Sequence, residues 1–287
     1  MSPLVSASRY RPWVLRGRSF HWGTRTYLMG ILNVTPDSFS DGGQFNTVDA
    51  ALAQGHRLVE AGMDILDVGG QSTRPQAVEI SEAEELERVI PVIAALRAQL
   101  PIPISVDTTR SAVARAAIAA GADLVNDVSG GIDDPQMLAT VAKLQVPIIL
   151  MHRRGKPQTM QQLTHYDNLI PEIIDFLKQQ IDTATQARID RHLIAIDPGL
   201  GFAKTGSQNL ELLRQLPQLH SLGCPILVGP SRKSFLGHIL NQPDPQQRVW
   251  GTAAACCAAI DGGADILRIH DGAAMHDVCQ IADAIWR

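Results

Sequence analysis

Eight times along this 287-residue chain a short apolar run reads as a strand, empties into a polar loop, and gives way to a stretch of helical period. The first run opens the segment Tyr27–Gly43. The second is Ile65–Val68, the third PISVD ending at Asp107, and the fourth GADLVND ending at Asn126 and Asp127. VPIILMH ends at His152, HLIAIDPG carries Asp197, CPILVG follows, and GADILRIHD closes the series. Each run is apolar on both faces, as parallel strands covered by helices must be. GAD or AGMD precedes three of them, where a helix ends and turns back into a strand. No composition break separates the units. Eight of them in one chain is the count for a closed (β/α)8 barrel. A doubly wound open sheet is the alternative, and would need an edge strand less uniformly apolar than any here. Hydrophobic residues at 45% and charged residues at 19% leave room for a large core.

Helices are expected over residues 48–60, 109–120, 135–144, 168–187, 207–219 and 273–286, and from Pro245, with Asp244 as its cap, to about Ile260. Another follows Ser81, which with Glu84 reads as a capping box, and Pro91 should kink it. Residues 1–26 carry Arg9, Arg11, Arg16, Arg18 and Arg25 and no acid; the first is Asp37. They lack the apolar core of a secretory signal. WVLRGRSFHWG reads as two short strands around Gly17, a hairpin capping the bottom of the barrel; an arginine-rich targeting extension is the other reading. The expected organisation is an N-terminal extension and hairpin at 1–26 and one barrel at 27–287.

The formal net charge of -4 argues against a duplex-binding surface, so no nucleic-acid partner is expected. No apolar run reaches the ~18 residues of a membrane span. Cys224, Cys256, Cys257 and Cys279 form no CxxC pair and read as buried free thiols of a protein in the reducing cytoplasm.

In a barrel the polar residues at strand ends share one mouth: Asn33, Ser72 to Arg74, Asp107, Asn126, His152, Asp197, Ser231 to Lys233, and Arg268 with His270. The late cations Arg232, Lys233, Arg268 and His270 read as an anion clamp, since the loops after strands seven and eight are the usual phosphate site of this fold. The other reading turns Arg232 outward and packs His270 inside. Asp107 and Asp197 suit a ligand with an amino group beside a ring N–H, with Asn126 donating and accepting and Lys233 meeting a ring carbonyl. Together they would hold a flat, nitrogen-rich heterocycle; a packing or capping role for either aspartate is the plainer alternative. No HxH or HExxH occurs, so a metal-hydrolase site is not indicated. Asn33 could complete a Mg²⁺ shell made mostly of phosphate oxygens and water. There is no GxSxG, GxGxxG after a strand, or GxxxxGK[ST], and GFAKTG at 201–206 only superficially resembles a phosphate loop. The chemistry that remains is leaving-group activation with positioning of a second substrate.

Several segments, in order, resemble the dihydropteroate synthase family of the folate pathway. They are GILNVTPDSFSDGG (30–43), STRP (72–75), SVDTTR (105–110), NDVSG (126–130), LMH (150–152) with GKPQTMQ (155–161), DPGLGFAK (197–204), VGPSRKSFLG (228–237) and RIHD (268–271). The resemblance implies a barrel, usually a homodimer. It would join 6-hydroxymethyl-7,8-dihydropterin pyrophosphate to p-aminobenzoate, giving 7,8-dihydropteroate and pyrophosphate, with Mg²⁺ as cofactor. By match, Asp107, Asn126, Asp197 and Lys233 would bind the pterin. Asn33, Thr73, Arg268 and His270 would hold pyrophosphate, with Asn33 also on the metal. Phe39, Thr73, Arg74, Pro75 and Ser234 would shape the p-aminobenzoate pocket, where sulfonamides compete in this family. Asp37, Arg74, Lys233, Arg268 and His270 would carry the chemistry. The loop with Asp37, Ser38 and Phe39 and the loop from Ser72 to Pro75 resemble a mobile pair closing over the site. The second loop departs from the family's usual GGESTRPG, with Gln71 for the acid and Gln76 for the glycine; Pro230 is expected to stiffen the seventh loop. Methyltetrahydrofolate–corrinoid methyltransferases share the barrel and pterin contacts, but do not need STRP, SRKS and the strand-eight cations together. An inactive pterin- or phosphate-binding homologue is the remaining reading, against which Arg74, Lys233 and His270 stand.

Overall fold

A computed structural model of the chain describes residues 8–34, 44–72 and 77–287, with the backbone alone at 44–47. The loop residues Asp37, Ser38, Phe39, Gly42, Gly43, Thr73, Arg74, Pro75 and Gln76 lie outside the described residues. Trp13–Leu15 (β1) and Arg18–Phe20 (β2) pair antiparallel as the expected hairpin. The parallel strands are Tyr27–Asn33 (β3), Ile65–Gly69 (β4), Ile104–Asp107 (β5), Leu124–Asp127 (β6), Ile148–Met151 (β7), Ile194–Asp197 (β8), Leu227–Val228 (β9) and Ile266–Ile269 (β10). They run β8-β7-β6-β5-β4-β3-β10-β9. A parallel bridge between Ile196 and Ile226 joins β8 to β9, with the Ile196 N–H donating to Pro225 O at 2.9 Å. The sheet therefore closes on itself, as the strand count implies, and a doubly wound sheet is excluded.

The helices of the described residues are Gln44–Glu60 (α1), Glu82–Gln99 (α2), Ser111–Ala120 (α3), Met137–Leu144 (α4), Leu169–Gln186 (α5), Gly206–Arg214 (α6), Ser234–Leu240 (α7), Val249–Asp261 (α8) and Gly272–Trp286 (α9). Three depart from expectation. The helix read over 207–219 stops at Arg214, and a 3-10 segment with Pro217 in its first turn takes over at Leu216–Leu222. Proline there removes an amide donor and crowds the preceding turn. The long helix from Pro245 is a 3-10 turn, Pro245–Arg248, followed by α8; Asp244 does cap it, accepting from the Gln246 N–H at 2.9 Å. The seven-residue α7 went unread because its pattern is too short to show a period. Arg248 ties the α7–α8 connection together, donating to the carbonyls of Arg232, Gln242 and Pro243. Ser81 caps α2 through the Glu84 N–H, but the Glu84 carboxylate pairs with Arg88 rather than turning back. The complete capping box is Thr205 with Gln208, at the start of α6. α2 continues through Pro91, which faces solvent.

Strand alternation divides the apolar residues into two cores. Leu28, Leu66, Ile104, Val125, Ile148, Ile194, Val228 and Leu267 face the surrounding helices. Tyr27, Met29, Ile65, Leu124, Ile149, Ala195, Leu227 and Ile266 fill the barrel's amino-terminal half, where Trp13, Phe20 and Trp22 pack beneath them. Trp22 meets Trp13 edge-on at 5.0 Å and Tyr27 at 5.5 Å. The hairpin thus plugs the barrel's lower end.

The aspartates of the three GAD and AGMD turns have a common task there. Asp64 accepts the Leu28 N–H at 2.9 Å, Asp123 the Ile104 N–H at 2.9 Å, and Asp265 the Ile226 N–H at 3.0 Å. Each caps the free amide at the start of the neighbouring strand. Arg25 also pairs with Asp64, and Arg97 and Arg16 with Asp123. All four cysteines are free thiols and three are buried. Among the described residues no helix is long and apolar enough to cross a membrane.

Candidate active site

Above the apolar floor the inward positions turn polar. Asn33, Gly69, Asp107 and Asn126 lie abreast on β3 to β6. Gly69 keeps space in this row, because a Cβ there would press on the Asp107 Cβ at 3.3 Å. Across the barrel, Arg268 of β10 donates from Nε to Asp67 Oδ2 at 2.6 Å and from Nη2 to Asp107 Oδ2 at 2.7 Å. The Asn126 amide also donates to Asp67 Oδ2, at 3.1 Å. One guanidinium therefore serves two buried carboxylates. That leaves surplus negative charge, and burial pushes the Asp107 carboxyl up to about 7 against the pull of Arg268. The same two carboxylates raise the Arg268 guanidinium above its ordinary value, even though burial opposes this.

Asp67 was not among the residues singled out from the sequence. It is fully buried, and its Oδ1, like Ser105 Oγ on the adjacent strand, has no hydrogen-bond partner among the described residues. The clue to it was a charged residue inside a strand otherwise apolar on both faces.

Asp197 ends β8, and its Oδ1 accepts the Gly199 N–H at 2.7 Å. Burial raises its pKa, opposed by that bond and by Lys233, Lys204 and Arg268. Lys233 Nζ stands 4.4 Å over the Phe202 ring, and burial brings the amine down to about 8, with Asp197 opposing. Phe202 clusters with Val128, Met151 and Met160, an apolar group on the loops and strand ends after β6, β7 and β8 that the sequence reading did not single out. Pro230 opens the turn to Lys233, whose N–H reaches Pro230 O at 3.4 Å, and Ser234 begins α7 exposed to solvent.

The late cations divide. Arg232 is paired with Asp271. His270 is held by Ser231, whose Oγ lies 3.1 Å from the His270 N–H and 2.9 Å from Nδ1. His152 is withdrawn from the mouth: it is buried, edge-on to Phe176 at 4.9 Å, and beside Lys204. Burial and the neighbouring Lys204 and Arg154 bring its pKa down to about 2, so the ring is neutral.

Gln71 braces the root of the second loop. Its amide donates to Val78 O at 2.9 Å and Ser72 O at 3.0 Å and accepts the Ile80 N–H at 2.8 Å. A glutamate could accept from Ile80 but could not donate to Val78.

No three His, Cys, Asp or Glu side chains of the described residues converge to hold an ion. Asn33 offers one neutral oxygen, half-buried at the rim of the inward row. That donor set suits a hydrated hard cation completed by substrate oxygens, not a protein-built cage.

The family model for "Pterin binding enzyme" matches residues 29–270. A dihydropteroate synthase of Synechocystis is 60% identical over 268 residues, 93% of each chain. A solved Xanthomonas albilineans dihydropteroate synthase with 4-aminobenzoic acid superposes with TM-score 0.89 at 46% identity, covering 96% of this chain and 97% of that one. The same organism's enzyme with 7,8-dihydropteroate gives 0.86 at 44% identity, covering 96% and 98%. With the pterin-binding model spanning the barrel and its mouth, and relatives aligned over nearly their whole length, the chain belongs to the dihydropteroate synthase family of pterin-binding enzymes.

Proposed function

We propose that this mouth joins 6-hydroxymethyl-7,8-dihydropterin pyrophosphate to p-aminobenzoate, releasing pyrophosphate, with the residues in the following roles. The observation that carries the assignment is the convergence of Asp107, Asn126 and Asp197 above the apolar floor, with Lys233 over Phe202 beside Asp197. Carboxylates and an amide match the amino and ring N–H edge of a pterin, and Lys233 matches its carbonyl. Phe202, Val128 and Met151 offer apolar surface to the ring. Arg268 uses Nε and Nη2 on Asp67 and Asp107, so its remaining N–H groups would serve the pyrophosphate, with His270 beside them.

Mg²⁺ would sit on Asn33 with pyrophosphate oxygens and water, and when bound would offset charge on the leaving group. Arg268 and His270 do the same from the protein side. The arylamine nitrogen bonds to the exocyclic CH₂ as the CH₂–O bond breaks, and the departing pyrophosphate accepts the amine proton. This route needs no protein base. Thr73, Arg74, Pro75 and Phe39 remain the proposed p-aminobenzoate contacts, with Ser234 near its carboxylate; Asp37 and Arg74 are proposed to act when the loops close.

The enzyme is also proposed to be a cytoplasmic homodimer. Trp250 is 78% exposed and Ile239 58% exposed, on α8 and α7, an apolar surface of the kind that associates. Pyrophosphate release measured with and without p-aminobenzoate tests the reaction. Release that depends on p-aminobenzoate and yields dihydropteroate is expected. Pterin binding without release would indicate an inactive homologue.

A further inference from the structure

We infer that Lys204 and His152, neither of which reaches the mouth, form the positioning device that holds the pterin side of the site in shape. Lys204 is 3% exposed and His152 1%. Lys204 Nζ lies 3.0 Å from Gly199 O, 3.0 Å from Phe202 O and 3.0 Å from His152 Nδ1. Burial brings the Lys204 amine down to about 7, with Asp197 opposing. In its ammonium form it has three protons and no lone pair, and these three acceptors satisfy it fully. The pairing also sets the histidine tautomer: Nδ1 accepts, and the ring proton is on Nε2. The low pKa of His152 agrees with a neutral ring in this role.

Each carbonyl that Lys204 holds belongs to a residue touching a site group. The Gly199 N–H donates to Asp197 Oδ1, and the Phe202 ring lies under Lys233 Nζ. The His152 N–H in turn donates to Asp197 O at 2.8 Å. Gly199 has no room to shift: its φ is 73°, and a Cβ there would fall 2.0 Å from His152 O. The turn from Asp197 to Lys204 is thus tied to the end of β7 from both sides. Burying an ammonium is unfavourable unless every proton is met. An apolar residue of similar length would fill the same volume. What the lysine adds is three directed bonds and a positive charge behind Asp197. GFAKTG is therefore no phosphate loop; its lysine points into the protein and binds the backbone of its own turn.

The inference rests on the reading of Asp197 as a pterin contact. Its test compares KM for each substrate in soluble variants with native far-UV spectra. Lys204→Met is expected to raise KM for the pterin pyrophosphate about tenfold or more, through loss of charge-assisted bonds, with KM for p-aminobenzoate within about twofold. His152→Leu should raise the pterin KM by about threefold to fivefold, and His152→Gln, which restores an acceptor, should recover most of that loss. An unchanged pterin KM in Lys204→Met, or an equal rise in both KM values, overturns the inference. If Lys204→Met does not fold, the His152 pair decides, and equal pterin KM values in Leu and Gln overturn it. Asp197→Asn is the control: no effect on pterin KM there refutes the pterin reading and this inference with it, whereas an effect there beside a silent Lys204→Met refutes the inference alone.

Discussion

At the barrel's amino end, Asp64, Asp123 and Asp265 each accept a backbone N–H at or next to the start of a neighbouring strand, and arginines pair with two of them. At its carboxyl end, Asp67 and Asp107 share one guanidinium, and Asp197 leans on a single backbone amide beside the buried Lys204 and the half-buried Lys233. The side chain is the same and so is the barrel. Below, each carboxylate meets donors from the backbone that it organises, although burial still raises the Asp265 carboxyl against those bonds. Above, donors are fewer than acceptors, and the surplus is held over by the closed barrel and its plugged floor. A ligand rich in N–H groups would meet that surplus. Stability should therefore concentrate at one end and recognition at the other.

The largest effect expected from this division lies in the floor. Trp22 is fully buried between Trp13 and Tyr27. Trp22→Ala should cost about 3–5 kcal/mol of unfolding free energy, the usual range for emptying a large aromatic site. Denaturant unfolding would measure this, with kcat/KM unchanged for the fraction that remains folded. Because Trp22 Nε1 has no hydrogen-bond partner among the described residues, Trp22→Phe should cost much less. An activity loss in the folded fraction would show that the two ends are coupled. Next in size is Asp197→Asn at the mouth. It should lower kcat/KM for the pterin substrate by about 100-fold, some 2.7 kcal/mol, the scale of a lost bond to a charged group. Its unfolding midpoint should hold or rise, since a carboxylate that burial disfavours is replaced by a neutral amide. A large fall in the midpoint would mean that Asp197 belongs with the floor aspartates.

How far this division could be read from the sequence depends on what each residue touches. The eight strands and the hairpin were legible because apolar runs with turn residues at each end express burial locally. Asp107, Asn126 and Asp197 were legible because a barrel brings strand ends together. Asp67 was passed over because its partners, Arg268 and Asn126, come from strands far away in the chain. The GAD aspartates read as helix-ending turns, yet their carboxylates serve strands about twenty to forty residues earlier. Lys204 drew no role from the sequence beyond a superficial likeness of GFAKTG to a phosphate loop, since spacing does not say whether a side chain points outward or in. Pro217 was visible all along and should have ended the helix over 207–219.

Asp123→Asn tests the floor with a smaller perturbation. Its carboxylate receives Arg97, Arg16 and the Ile104 N–H, so an amide there leaves charged donors short of acceptors. A loss of about 2 kcal/mol in unfolding free energy is expected, with both KM values unchanged. A change in pterin KM would mean that strain at the start of β5 travels to Asp107 at its end.

The smallest effect is a matter of pH, and it separates the two ends without removing a residue from either. Asp107 is pushed up to about 7 by burial, and must be ionised to accept N–H donors from a pterin. Affinity should therefore fall as pH drops below about 7, by at most tenfold per unit for one titrating group. Lys233 is pushed down to about 8, again by burial, and must be protonated to donate to a ring carbonyl. Affinity should fall a second time as pH rises above about 8. A reduced pterin lacking the pyrophosphate, titrated by calorimetry, reads both limbs free of phosphate ionisation. Lys233→Arg keeps the charge at every pH in this range, so the alkaline limb should vanish while the acid limb stays. If the alkaline limb survives that substitution, the titrating cation is elsewhere, and Lys204, pushed down to about 7 by its own burial, becomes the group to vary.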